Sequence, residues 1–88
     1  MNAQEWLESQ EEYSTKEKRQ EIKELDISNQ NLEGKLDLSD FANLERLNCS
    51  NNLLTDIDLT NLSPEKIKII DLDNNDLSER FNLLFRIY

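Results

Sequence analysis

Eighty-eight residues hold at most one domain, and with 36% apolar residues the core such a chain can bury is modest. Nineteen acids against ten Lys and Arg leave a net charge of −9. That balance argues against nucleic acid, where cations must neutralise phosphates, and against anionic membrane surfaces, and it leaves basic protein partners open. One Gly, one Pro, one Cys and no His exclude a collagen, a low-complexity linker, an internal disulfide and any Cys-His pair.

Residues 1–21 read as an N-terminal helical cap. Asn2 and Glu5 have the spacing of an N-cap and its N3 acid. Good helix formers follow, and Trp6, Leu7, Gln10 and Tyr13 share one side, so a helix is predicted over residues 3–13. Trp6 and Leu7 are read as the face that covers a core, rather than as binding aromatics. Ser14 and Glu17 repeat the cap spacing, which predicts a short helical turn, and Lys16, Glu17, Lys18 and Arg19 read as a solvated charged turn. Met1 to Glu5 lack the basic and apolar regions of a secretory signal, and no apolar run approaches the length of a spanning helix. The expected compartment is the cytoplasm.

From residue 22 onward a ladder recurs. Leu44, Leu47, Cys49 and Leu54, with Asn52 between, are matched 22 residues upstream by Ile22, Leu25, Ile27, Leu32 and Gln30. They are matched 23 residues downstream by Ile67, Ile70, Leu72, Leu77 and Asn75. Two apolar residues two apart point to one face of a short strand, so strands are predicted near residues 24–28, 46–50 and 69–73. Leu36-Asp37-Leu38-Ser39-Asp40-Phe41 aligns on Ile57-Asp58-Leu59-Thr60-Asn61-Leu62, a period-two pattern that predicts a second extended limb. Gly34 is expected to supply an unusual backbone angle, and Pro64 belongs in the loop before the third strand. The segment after Leu77 loses the pattern.

The spacing L-x-x-L-x-L-x-x-N-x-L is the leucine-rich-repeat signature, and residues 22–77 resemble that family. Asn2-Ala3-Gln4-Glu5-Trp6-Leu7, followed by Glu21-Ile22-Lys23-Glu24-Leu25-Asp26-Ile27-Ser28-Asn29, is similar to a large fungal leucine-rich-repeat set in which such a segment precedes a longer array. The resemblance implies an α/β-type repeat solenoid with short parallel concave strands, mostly extended or irregular convex limbs and an N-terminal helix cap. Its repeats would be 22–43, 44–66 and an incomplete 67–88, which is a short or truncated member.

Candidate chemistry is sparse. Asp71-Leu72-Asp73-Asn74-Asn75-Asp76 begins like a calcium loop, but Asp76 stands where Gly is needed and Asn82 where a bidentate Glu is needed. Asn48-Cys49-Ser50 and Asn61-Leu62-Ser63 match the glycosylation pattern, which has no meaning without secretion. Cys49 occupies an inward slot and reads as a small buried hydrophobe. Gln30, Asn52 and Asn75 are expected to stack, their amides bonding the backbone of neighbouring turns. No residue set calls for a cofactor, a metal or a catalytic role.

The expected function is a non-enzymatic protein-interaction module whose partner sits on the concave strand face. The outward residues there are Glu24, Asp26 and Ser28; Arg46, Asn48 and Ser50; Ile69, Asp71 and Asp73. They stack as columns of four acids against one Arg, with Ile69 the lone apolar anchor. The alternative is a truncated fragment of a longer solenoid with no independent function.

Overall fold

The computed structural model describes residues 1–78. The element order is α1 (Ala3–Ser9), a 3-10 turn (Glu11–Tyr13), α2 (Lys16–Glu21), β1 (Glu24–Asp26), β2 (Glu33–Asp37), β3 (Arg46–Asn48), β4 (Leu53–Asp58) and β5 (Ile69–Asp71). β1, β3 and β5 make a three-stranded parallel sheet in that order, and β2 and β4 a two-stranded parallel one.

The N-terminal helix begins where the cap spacing places it, with the Asn2 Oδ1 accepting from the Glu5 N–H at 3.0 Å. It is shorter than predicted. Gln10 turns extended (φ −80°, ψ 132°), and the chain continues as a 3-10 turn. The second cap is Thr15, not Ser14. Thr15 is extended (φ −127°, ψ 158°), as an N-cap must be, and its Oγ1 accepts from the Lys18 N–H. Ser14 is already helical (φ −78°, ψ −18°), and its hydroxyl donates to the Glu11 carbonyl instead. The stretch read as a solvated charged turn is α2. Arg19 leaves solvent there: its Nε donates to the Asp40 carboxylate at 3.0 Å and its Nη1 to the Tyr13 carbonyl at 2.7 Å. Tyr13 in turn meets Phe41 edge-on, with ring centroids 6.0 Å apart.

In the three-stranded sheet Leu25 pairs with Leu47 and Leu47 with Ile70, 22 and 23 residues apart in the chain. Leu25 and Leu47 are fully buried, but Ile70 is only half-buried, because β5 is the edge strand on that side. In the other sheet Leu36 pairs with Ile57 and Asp37 with Asp58, the register of the aligned limbs. Gly34 has φ +86° and lies inside β2, where the register slips between Gly34 and Lys35. Its freedom serves a bulge rather than the turn expected for it.

The fold class is not the repeat solenoid that the leucine-rich-repeat resemblance implies. A solenoid lengthens along its stacking axis, each unit touching only its neighbours. This chain instead has a Cα radius of gyration of 12.0 Å and extents of 32 × 32 × 17 Å. A closed globule of this length has a radius of about 12 Å. One apolar cluster, from Ala3 to Leu59, is shared by α1 and both sheets, so no unit has a core of its own. The physical reason is that three strand-bearing passes about 4.8 Å apart make a stack no longer than it is wide, so the chain closes as one body. α1 therefore acts as a wall of the core, with Ala3 and Leu7 buried, rather than as a separate cap on a stack. In place of a concave strand face and convex limbs, the chain has an exposed face on the three-stranded sheet and a second, two-stranded sheet. Phe81, Leu83, Leu84, Phe85 and Ile87, whose apolar character suggests an imperfect shield for the last apolar layer, lie outside the described residues.

Two asparagines tie the passes together. Asn52, 4% exposed, accepts at Oδ1 from the N–H of Gln30 and of Leu32, both at 3.0 Å. Its Nδ2 donates to the carbonyls of Ile27, Cys49 and Ser50. Asn75 repeats the act one pass later, accepting from the Leu54 N–H and donating to the carbonyls of Cys49, Leu72 and Asp73. Gln30, the expected first member of this ladder, is exposed and serves only through its backbone N–H. No strand-bearing pass precedes it, so its amide has no backbone to satisfy. Asn29, Asn31, Asn51 and Asn74 take left-handed φ values of 55–58° in the neighbouring turns, a conformation that Asn tolerates better than other non-glycine residues.

Candidate functional site

The exposed face of the three-stranded sheet is built by alternation. Leu25, Leu47 and Ile70 turn toward the core, so their strand neighbours turn away from it. The pairing aligns Glu24, Arg46 and Ile69 in one row and Asp26, Asn48 and Asp71 in the next. These six residues line a depression of about 310 Å³. Arg46 reaches Glu24 at 3.9 Å between two exposed side chains, a pair that contributes under about 1 kcal/mol. Ile69 is 52% exposed, an apolar surface in an otherwise polar row.

The third expected row does not line the depression. Ser28, Ser50 and Asp73 lie two residues beyond the strand ends. Ser50 is buried, its hydroxyl donating to the Asn48 Oδ1 at 2.6 Å. Ser28 does the same toward Asp26, and the Asp73 N–H donates to the Asp71 Oδ1. Each strand thus ends with a side-chain oxygen accepting from the backbone two residues on, while bonds between passes continue from the Asn29 N–H to the Ser50 carbonyl and from the Asn51 N–H to the Asp73 carbonyl. Period two continues in the sequence past the point where the strands end, and this row lies outside the depression.

These turns set the electrostatics. Bonds from the Ser28 hydroxyl and N–H lower the Asp26 pKa below its ordinary 3.8, and Thr60 does the same to Asp58 in the second sheet. A depressed carboxylate stabilises the fold above its unfolded pKa, and that contribution is lost as pH falls through the lower folded value. The denaturation midpoint is therefore expected to fall on acidification below about pH 4. Asp58→Asn should flatten part of that slope, because the amide oxygen still accepts but no longer titrates, as Asn48 already does beneath Ser50. Parallel acid curves for the variant and the parent would show that the turn is not the source.

Cys49 is fully buried beneath the face, and burial pushes its thiol up to about 12, with Asp26 and Asp71 adding to the rise. It is not a nucleophile in the folded state. Alkylation at about pH 8 should proceed only at the rate of global opening and accelerate with denaturant. Rapid labelling of the native protein would contradict that placement.

The stretch Asp71–Asp76 serves the β5 turn and the Asn75 bonds. Among the described residues no group of three or more Cys, Asp or Glu side chains is placed to hold a metal ion. No helix among them is long and apolar enough to cross a membrane. Sequence reasoning missed Arg19 and the exposed Leu53, which is 54% exposed on the second sheet. The Arg19–Asp40 link spans 21 residues, and no local spacing signals it. No family model matches the chain, and neither the curated proteins nor the solved structures compared with it gave a match.

Proposed function

We propose that the chain is a non-enzymatic protein-binding module whose exposed three-stranded face takes a partner segment carrying basic groups. The observation that supports this is the depression itself. Three acids and the exposed Ile69 converge there above the buried Leu25 and Leu47, and the single cation, Arg46, already engages Glu24. Clustered like charge raises the local potential and steers cationic partners. Exposed charges are screened within about 8–10 Å at ordinary salt, so binding is weak and salt-sensitive. Ile69 gives the row its only apolar anchor, which again limits affinity. The same reading places the protein in the cytoplasm, where a lone thiol such as Cys49 stays reduced.

A lysine-rich peptide titrated onto the intact protein tests this. Changing Glu24, Asp26 and Asp71 to their amides should abolish binding, with circular dichroism showing that the variant still folds. Unchanged binding in that variant, with loss instead on changing Asp37, Asp56 and Asp58, would move the site to the second sheet.

A further inference from the structure

The hydroxyl side chains of the described residues are mostly engaged. Ser9 and Ser14 donate to the carbonyls of Trp6 and Glu11, and Thr15 caps α2. Ser28, Ser50 and Thr60 donate to the side chains of Asp26, Asn48 and Asp58. Ser78 also has an interaction partner. Ser39, Thr55 and Ser63 remain. Thr55 lies inside β4, and Ser39 precedes Asp40, whose carboxylate pairs with Arg19. Ser63 precedes the chain's single proline and stands in the loop between β4 and β5, followed by three exposed residues, Pro64, Glu65 and Lys66.

We propose that Ser63 is a phosphoacceptor for a proline-directed serine kinase, and that the phosphate draws the Lys66 ammonium away from Asn43. Proline after the acceptor suits an enzyme that offers no partner to the next backbone N–H, because proline has none to leave stranded. Lys66 sits in the same turn, its N–H donating to the Ser63 carbonyl at 3.1 Å. Its Nζ now donates to the Asn43 Oδ1 at 2.6 Å, and the Asn43 Nδ2 donates to the Gln20 carbonyl in α2 at 2.7 Å. A phosphoserine brings about −1.5 to −2 charges and three strong acceptors at neutral pH. An ammonium prefers that dianion to a neutral amide oxygen. The modification therefore unhooks the loop from Asn43 and, through Asn43, loosens its link to α2. In the transfer, the Ser63 Oγ attacks the γ-phosphorus of ATP. The Oγ–P bond forms as the bond to ADP breaks, and the hydroxyl proton passes to the base of the kinase. This inference is independent of the sheet-face reading.

The test incubates the full chain with a proline-directed serine kinase, ATP and magnesium, and reads intact mass and a peptide map. One phosphoryl group at Ser63 is expected, none in Ser63→Ala, and a marked loss in Pro64→Ala, with circular dichroism confirming that both variants fold. No incorporation, or incorporation that persists in Ser63→Ala, overturns the assignment of the site. A phosphorus-31 titration then reads the partner. The phosphate of the parent should ionise at lower pH than that of Lys66→Gln, because the ammonium favours the dianion. Coincident titrations would overturn the Lys66 arm.

Discussion

Leu47→Ala is expected to destabilise the fold by about 2–5 kcal/mol, the range for emptying a buried leucine site. Leu47 is the central side chain of the three-stranded sheet, 1% exposed, between Leu25 and Ile70. Removing it opens a void between two flanking strands and costs contacts on both sides. A domain of this size has a total stability of about 4–13 kcal/mol, so the variant loses much of it. Chemical denaturation measures the loss. The half-buried Ile70 is the internal control, and Ile70→Ala should cost less, because its site on the edge strand lets water in. Equal losses at the two positions would show that the core does not centre on β3.

The second large effect is at Asn52. Asn52→Ala deletes one acceptor and one donor group that together serve the Gln30 and Leu32 N–H groups and the Ile27 carbonyl. The Leu32 N–H and the Ile27 carbonyl are buried, and each buried group left without a partner costs about 1–3 kcal/mol, so a loss of at least about 2 kcal/mol is expected. Asn52→Asp separates the two halves of the role. It keeps the acceptor for both N–H groups but sets a carboxylate oxygen against the carbonyls of Ile27 and Cys49, and it should be nearly as damaging. Gln30→Ala, at the position matching Asn52 one pass earlier, should change little, because the Gln30 side chain is exposed. If Asn52→Ala melts no lower than Gln30→Ala, the amide is not what joins the passes.

These expectations show where sequence was informative. Leu25 and Ile27, like Leu47 and Cys49, are apolar residues two apart, and each such pair marks a strand and its inward side. The inward placement of Cys49 follows from the same spacing. Asn52 and Asn75 were legible because a polar residue recurring inside an apolar ladder must satisfy buried backbone. On the candidate face, Glu24, Asp26, Arg46, Asn48, Ile69 and Asp71 follow from alternation and gather as expected. Ser50 does not, since a turn held by its own hydroxyl takes it inside.

Which side chains turn inward in each pass, and where each strand begins, follow from periods of two and from residues a few positions apart. How the passes assemble does not. The same apolar spacing serves a lengthening stack or a closed body. The choice rests on what covers the core, here Ala3 and Leu7 of α1, and on contacts between distant residues, Arg19 with Asp40 and Tyr13 with Phe41. Such contacts link positions 21 or more residues apart, and local patterning carries no record of them.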